Sequence, residues 1–150
     1  MMLFHTYVGF FMLIIRYFDR WGWLGFSAGS TFGITGDKWK YSARASVTTI
    51  LATMGAGCVG MTASALFRKG LQDMSLLVDA VLSSLVAVSG GAPIIRPFNA
   101  IVVGAVAAMI VLTAIPFINW CHIDDPTNSF AVHAIGGAWG LIAIGLFAGN

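Results

Sequence analysis

The sequence predicts an all-α integral membrane protein of about five transmembrane helices, and three observations carry that expectation. Hydrophobic residues make up 58% of the 150-residue chain and Asp, Glu, Lys and Arg together only 9%, against about 25% charged residues in a soluble globular domain. Mean hydropathy is +0.86. Long uncharged runs recur along the chain, separated by short polar breaks. A water-soluble core of this size needs a charged shell, which eight basic and six acidic residues cannot supply. A soluble enzyme, a disordered tail and a nucleic-acid binder are thereby excluded. The net charge of +2 is too small to call for an acidic partner. Cys58 and Cys121 form no framework and leave the redox compartment open.

Crossing the hydrocarbon takes roughly 20 apolar residues in a helix. The first expected helix, about 3–32, is the least regular, because Arg16, Asp19 and Arg20 interrupt it. The two arginines lie four apart with Asp19 beside them, so the cluster is partly compensated, yet such residues in mid-span cost a few kcal/mol each. A bend is expected near Gly22 and Gly25. Met1 to Leu3 carry no basic residue, which argues against a signal peptide.

The second span, about 45–67, is free of charge and follows the polar break from Thr35 to Tyr41. The third, 75–92, holds one charge, Asp79; the fourth, 97–119, holds none; the fifth, 126–148, holds His133. Apolar residues run all round these segments, as they do on helices that face lipid and one another. The two-residue alternation of a membrane β-barrel strand is missing. Glycines at 55, 57, 60, 104, 136, 137 and 140 allow close helix packing, and Gly136 and Gly140 form a small-xxx-small face. Asp125 is expected to N-cap the fifth helix with Pro126 in its first turn. That start places His133 two turns in, near mid-membrane.

His133 is the sharpest chemical signal. An imidazole in an otherwise uncharged span must find a partner or water, so it marks either a pathway or a packing hydrogen bond. Asp79 is either a proton or cation site or, the blander reading, a carboxyl hydrated or neutral near a helix end. Trp21, Trp23 and Phe26, followed by Ser27 and Ser30, are either interfacial belt residues or a small-cation site. Ring faces beside a hydroxyl attract a cation by roughly 0.5–2 kcal/mol per ring. His5 and His122 are expected to be solvated. No HExxH, CxxC pair, Walker A loop or GxSxG occurs, so neither a hydrolase nor a nucleotide site is indicated.

Three segments carry a family resemblance. WGWLGFSAGST (21–31), ARASVTTILA (43–52) and DDP … VHAIGGAWGLIAIGLFA (124–148) resemble, in order, the ammonium transporter (Amt/Rh) family, nearer its Amt branch. The resemblance implies half of an eleven-helix inverted-repeat fold, residues 1–150 corresponding to helices six to ten. Inverted repeats with a site at their interface are common in transporters. It implies a homotrimer, ammonium or ammonia as substrate with methylammonium as analogue, no cofactor and no enzymatic activity, in a multi-pass protein of the plasma membrane. It also implies roles: Ser30 as the serine that recruits ammonium, Phe26 as a gating phenylalanine, Trp23 as a pore-wall aromatic, and His133 as the second of two pore histidines.

The chemistry of those roles is coherent. Ammonium and potassium are similar in size, so charge cannot separate them. A dry apolar pore rejects a bare cation but passes a neutral molecule, and an uncharged imidazole can guide ammonia through it. This chain departs from the family pattern at Ser27, where Asn is usual, at Asp79, where Asn is usual before a small residue, and at Arg16, Asp19 and Arg20, where the family helix is apolar. The first histidine and its neighbouring aspartate belong to the other half. Lys38, Lys40, Arg44 and Arg96 fall outside by the family topology and Arg68 and Lys69 inside, against the positive-inside rule. Two rival readings accompany transport: a truncated or degenerate membrane module without transport of its own, and a proton-relay bundle built on Asp79 and His133.

Overall fold

A computed structural model describes residues 21–67 and 73–148. The expected helix start at residue 3, His5, the 16–20 charge cluster and Arg68 and Lys69 lie outside the described residues. Helix α1 covers residues 21–29, its first described residue being Trp21. Next come α2 (Lys38–Phe67), α3 (Met74–Ser89) and α4 (Pro97–Trp120). A last helix opens at residue 129, passes through a π turn at Ala131–Ile135 and continues as α5 (Gly136–Phe147). Extended pairing among the described residues is limited to an isolated antiparallel bridge between Ile95 and Ala148.

Two of these helices, α2 and α4, are long and apolar enough to cross a membrane. The 30 residues of α2 extend about 45 Å at the helical rise, beyond a hydrocarbon layer of about 30 Å. Its first two turns therefore project past the apolar span that starts at residue 45. They carry Lys38, Lys40 and Arg44, with Lys40 paired to Asp37 at 2.6 Å in solvent. Helix α3 is N-capped by Asp73, whose carboxylate accepts from the Ser75 N–H at 3.0 Å. It stops at Ser89 rather than at 92, because Gly90 and Gly91 turn the chain and Pro93 disfavours helix in the residue before it. Across α1 the helix continues without a break at Gly22 and Gly25, so the expected bend is not in this segment.

The core is made of small residues. Ala52, Ala56, Ala100 and Ala108 close the α2–α4 contact with no exposed surface, while large apolar side chains such as Met54, Leu66, Phe98, Phe117 and Leu141 point outward. In lipid no hydrophobic drive separates inside from outside, so close backbone approach and packing hold helices together. A Cβ on Gly104 would fall on the Ala52 carbonyl, and one on Gly140 would meet the Ala87 carbonyl oxygen at 2.5 Å. Gly136, its expected partner in the small-residue face, has ordinary room. Gly57 faces open space and plays no such part.

Several buried hydroxyls are satisfied within their own helices, Thr49 donating to the Ala45 carbonyl and Ser83 to that of Ala80, both at 2.7 Å. Longer bonds join elements. Thr48 donates to the Ala92 carbonyl at 2.8 Å, and Trp139 Nε1 to the Val103 carbonyl at 3.0 Å. Together with the Ile95–Ala148 bridge, the first of these gathers the start of α2, the α3–α4 turn and the end of α5 at one end of the bundle.

Candidate functional site

The aromatic and hydroxyl residues sit at that same end. Trp23, Phe26 and Ser30 are spaced i, i+3, i+7 and so share one face of α1 and its final turn. The Trp23 and Phe26 rings meet edge-on, centroids 6.0 Å apart, and Phe26 is 61% exposed. The chain then leaves the helix through Phe32, Gly33 and Gly36, all at positive φ. Ser42 of α2 donates to the Ala28 carbonyl at 3.3 Å and holds this end in place.

The orientation of the Ser30 hydroxyl follows from its partner. It donates to the Phe26 carbonyl at 2.7 Å, as its backbone N–H also does at 2.9 Å. With the proton donated to that carbonyl, the oxygen of this exposed residue keeps its lone pairs as acceptors, one helical turn from Phe26. On the same helix, Trp23 Nε1 and Ser27 Oγ are buried with no hydrogen-bond partner among the described residues. Ser27 stands where the family resemblance leads one to expect the longer, two-ended Asn, and a serine side chain is too short to span the same distance.

His133 is elsewhere. It lies in the π turn before α5, exposed, and its ring makes no hydrogen bond to a described residue. About 14 residues at 1.5 Å each separate it from the end of α5, so it lies about 20 Å from the end of the bundle that holds Ser30. The three α1 residues form one cluster, and His133 a separate point at greater depth.

The approach to His133 differs from the expected helix start. Pro126 is not in the first helical turn. Residues Asp125 to Asn128 form a reverse turn, closed by the Asn128 N–H donating to the Asp125 carbonyl at 3.1 Å, with Pro126 at its second position, where its fixed φ fits. Asn128 adopts φ 53°, a region asparagine tolerates better than most residues. The Asp125 carboxylate reaches over this turn and accepts from the N–H groups of Ser129 (2.9 Å), Phe130 (2.8 Å) and Ala131 (3.4 Å). Asp125 thus caps the helix, but from four residues before its start, and His133 is one turn in rather than two.

Asp79 is buried, 6% exposed, and its Oδ2 accepts from Asn128 Nδ2 at 2.8 Å. Burial goes against the hydrated form of the expectation, whereas the place of Asp79 in the second turn of α3 agrees with a carboxyl near a helix end. Asn128 was not legible as a functional residue; the available signal was that a carboxyl within an apolar span requires a partner. Among the described residues no group of three His, Cys, Asp or Glu side chains could hold a metal ion.

A helical bundle with a small-residue core, large apolar side chains outside and polar groups held at chosen depths defines a polytopic membrane protein. Residues 3–150 match the sequence profile of the Ammonium Transporter Family, and the chain belongs to that family. It is 32% identical over 136 residues to ammonium transporter Amt2 of Archaeoglobus fulgidus, covering 90% of this chain and 28% of that protein. To ammonium transporter 1 member 1 of Arabidopsis thaliana it is 31% identical over 146 residues, covering 91% of this chain and 29% of that protein. The crystal structure of Candida albicans Mep2 matches the fold with a TM-score of 0.82 at 28% identity, over 92% of this chain and 30% of that chain. The chain thus spans less than a third of the length of each of these proteins.

Proposed function

We propose that this chain forms part of the wall of an ammonium-conducting pore, residues 1–150 supplying a partial transporter domain equivalent to the family's helices six to ten. Ammonium is received at the α1 end by Phe26 and Ser30, with Trp23 on the wall below, and passes as ammonia along an apolar path on which His133 supplies a neutral hydrogen-bonding group. The assembled protein is a homotrimer in the plasma membrane and carries methylammonium as an analogue. No covalent step is involved, so the activity is transport and not catalysis.

The observation that carries this reading is the Ser30 hydroxyl. Its proton is held by the Phe26 carbonyl, so its oxygen is presented as an acceptor next to an exposed ring. Ammonium needs that polarity, being a donor that also favours the face of an aromatic ring. The His133 ring makes no hydrogen bond to a described residue, so its nitrogens stay available to a passing solute. A cation is excluded from an apolar path by its desolvation cost, whereas neutral ammonia is not.

The test is methylammonium uptake in cells lacking their own ammonium transporters, with this chain expressed alone and then with a complementary N-terminal half. Uptake that requires the added half supports a half-pore. In that pair, His133→Ala is expected to weaken or alter the preference for ammonium over potassium, and an unchanged preference would remove His133 from the path. Absence of uptake in both arms, with insertion confirmed, would favour a membrane module without transport of its own.

A further inference from the structure

The helix that carries His133 is irregular at that residue. The Gly136 N–H reaches the Ala131 carbonyl five residues back, so this turn holds one residue more than an α-helix would. Downstream, Gly136 and Gly140 lie against Ser83 and Ala87 of α3. These contacts advance four residues on each helix, so the two run parallel in a fixed register. In a regular α-helix, the position three before Gly136 would lie beside this buried stripe. The wider π turn rotates each residue through a smaller angle and carries His133 off the stripe, and it is exposed while Ala131 and Val132 stay buried.

A surplus residue in a helix can migrate unless both ends of its turn are fixed. The downstream end is fixed by Gly140 on the Ala87 carbonyl and by Trp139 on the Val103 carbonyl. At the upstream end, α3 supplies a polar contact through Asp79. Asp79 lies four residues before Ser83, and its side chain leans back towards the start of α3, as helical side chains do. There it accepts from Asn128 Nδ2, whose own carbonyl accepts the Val132 N–H at 2.9 Å. A single helix face, Asp79–Ser83–Ala87, thus measures off both ends of the turn that carries His133.

We infer that Asp79 and Asn128 are positioning residues for His133: their part-buried hydrogen bond, added to the Asp125 cap on residues 129–131, ties the upstream end of the π turn to α3 and so sets the direction in which the imidazole points. The functional importance of that direction rests on the pore reading above; the positioning itself does not. When the bond is lost, the surplus residue can pass into the Asp125–Asn128 turn, the helix regains α register, and His133 swings back beside the buried stripe.

The test is the ring resonance of His133 in the full chain, labelled with 13C and 15N histidine and held in lipid nanodiscs. The resonance is assigned through His133→Gln, and the loop residue His122 is the reference. Asn128→Gly removes the amide while keeping a residue that tolerates φ 53°, and Asp79→Ala removes the acceptor. Both are expected to displace or double the His133 signal and leave that of His122 in place. Asp79→Asn keeps an acceptor of the same shape and is expected to leave the His133 signal at its original position. The exchanged pair, Asp79→Asn with Asn128→Asp, restores the bond with donor and acceptor reversed and is likewise expected to keep the original signal, and it serves where the disruptive variants do not fold. A His133 signal unmoved by Asn128→Gly and Asp79→Ala overturns the inference. So does displacement in the exchanged pair, or displacement by Asp79→Asn as large as by Asp79→Ala. Failure of the pore reading is registered separately, as ammonium preference unchanged in His133→Ala while these resonances behave as expected.

Discussion

The indole N–H of Trp139 donates to the backbone carbonyl of Val103 across 3.0 Å, joining α5 to the second turn of α4. An interhelical bond to a carbonyl already engaged in its own helix is worth about 0.6 kcal/mol on average in membrane bundles and up to about 1.7. The Trp139 ring also packs with Val103, Ala107 and Ala143. Trp139→Phe keeps most of this apolar contact and removes the donor. It is expected to destabilise the bundle by about 1 kcal/mol, read as a lowered midpoint of unfolding by sodium dodecyl sulfate in mixed micelles. A midpoint equal to that of the parent chain would mean that the bond adds nothing.

Two glycines that look alike in the sequence should behave oppositely. Gly104 backs directly onto the Ala52 carbonyl, and Gly57 faces open space. Gly104→Ala must push α4 away from α2, and overpacking of this kind costs about 1–3 kcal/mol. Gly57→Ala adds a methyl where nothing stands and gains helix propensity, so its effect is expected to be neutral or stabilising by up to about 1 kcal/mol. Equal losses in the two variants, by the same unfolding measurement, would rule out the close contact at Gly104.

That pair also marks how far a sequence of this kind can be read. Charge content and uninterrupted apolar runs are enough for the helical membrane class, and the limits of α4 follow from its run between Arg96 and Cys121. Hydropathy does not mark where a helix ends in water, so it puts a polar break at Thr35 to Tyr41 and a span from 45, whereas α2 starts at Lys38. Nor does it distinguish a glycine under a carbonyl from one facing lipid, since that depends on crossing geometry between helices far apart in sequence. That Trp23, Phe26 and Ser30 share a face of α1 follows from their spacing in an ordered motif. The π turn was not legible, because its cause is spread over Asp79, Asn128 and Gly140, and no local pattern around His133 records it.

Asp125 offers a local test of the helix start. Its carboxylate accepts from three consecutive N–H groups, those of Ser129, Phe130 and Ala131, which otherwise lack partners at the first turn of a helix. Asp125→Ala is expected to cost about 1–2 kcal/mol. The loss should be confined to this turn, with amide exchange at 129–131 accelerated by roughly 10-fold for each 1.4 kcal/mol and exchange in α2 and α4 unaltered. Exchange accelerated evenly across the bundle would point to a global role for Asp125 and against a capping one.

Ser30 gives the most direct test of the mouth. Because its proton is donated to the Phe26 carbonyl, its oxygen is left as an acceptor, and a hydrogen bond to a charged donor is worth about 1.5–3 kcal/mol. Ser30→Ala is therefore expected to raise the half-saturating methylammonium concentration by roughly 10-fold or more, measured with a complementary half that restores uptake. On the reading proposed above the hydroxyl contacts the ion at entry, about 20 Å from His133 at the helical rise, so the maximal rate should change much less. Ser30→Thr keeps the hydroxyl and its route to the carbonyl four residues back, and is expected to stay near the parent value. A fall in maximal rate with the half-saturating concentration unchanged would take Ser30 out of ion recruitment and leave it a role only in fixing the end of α1.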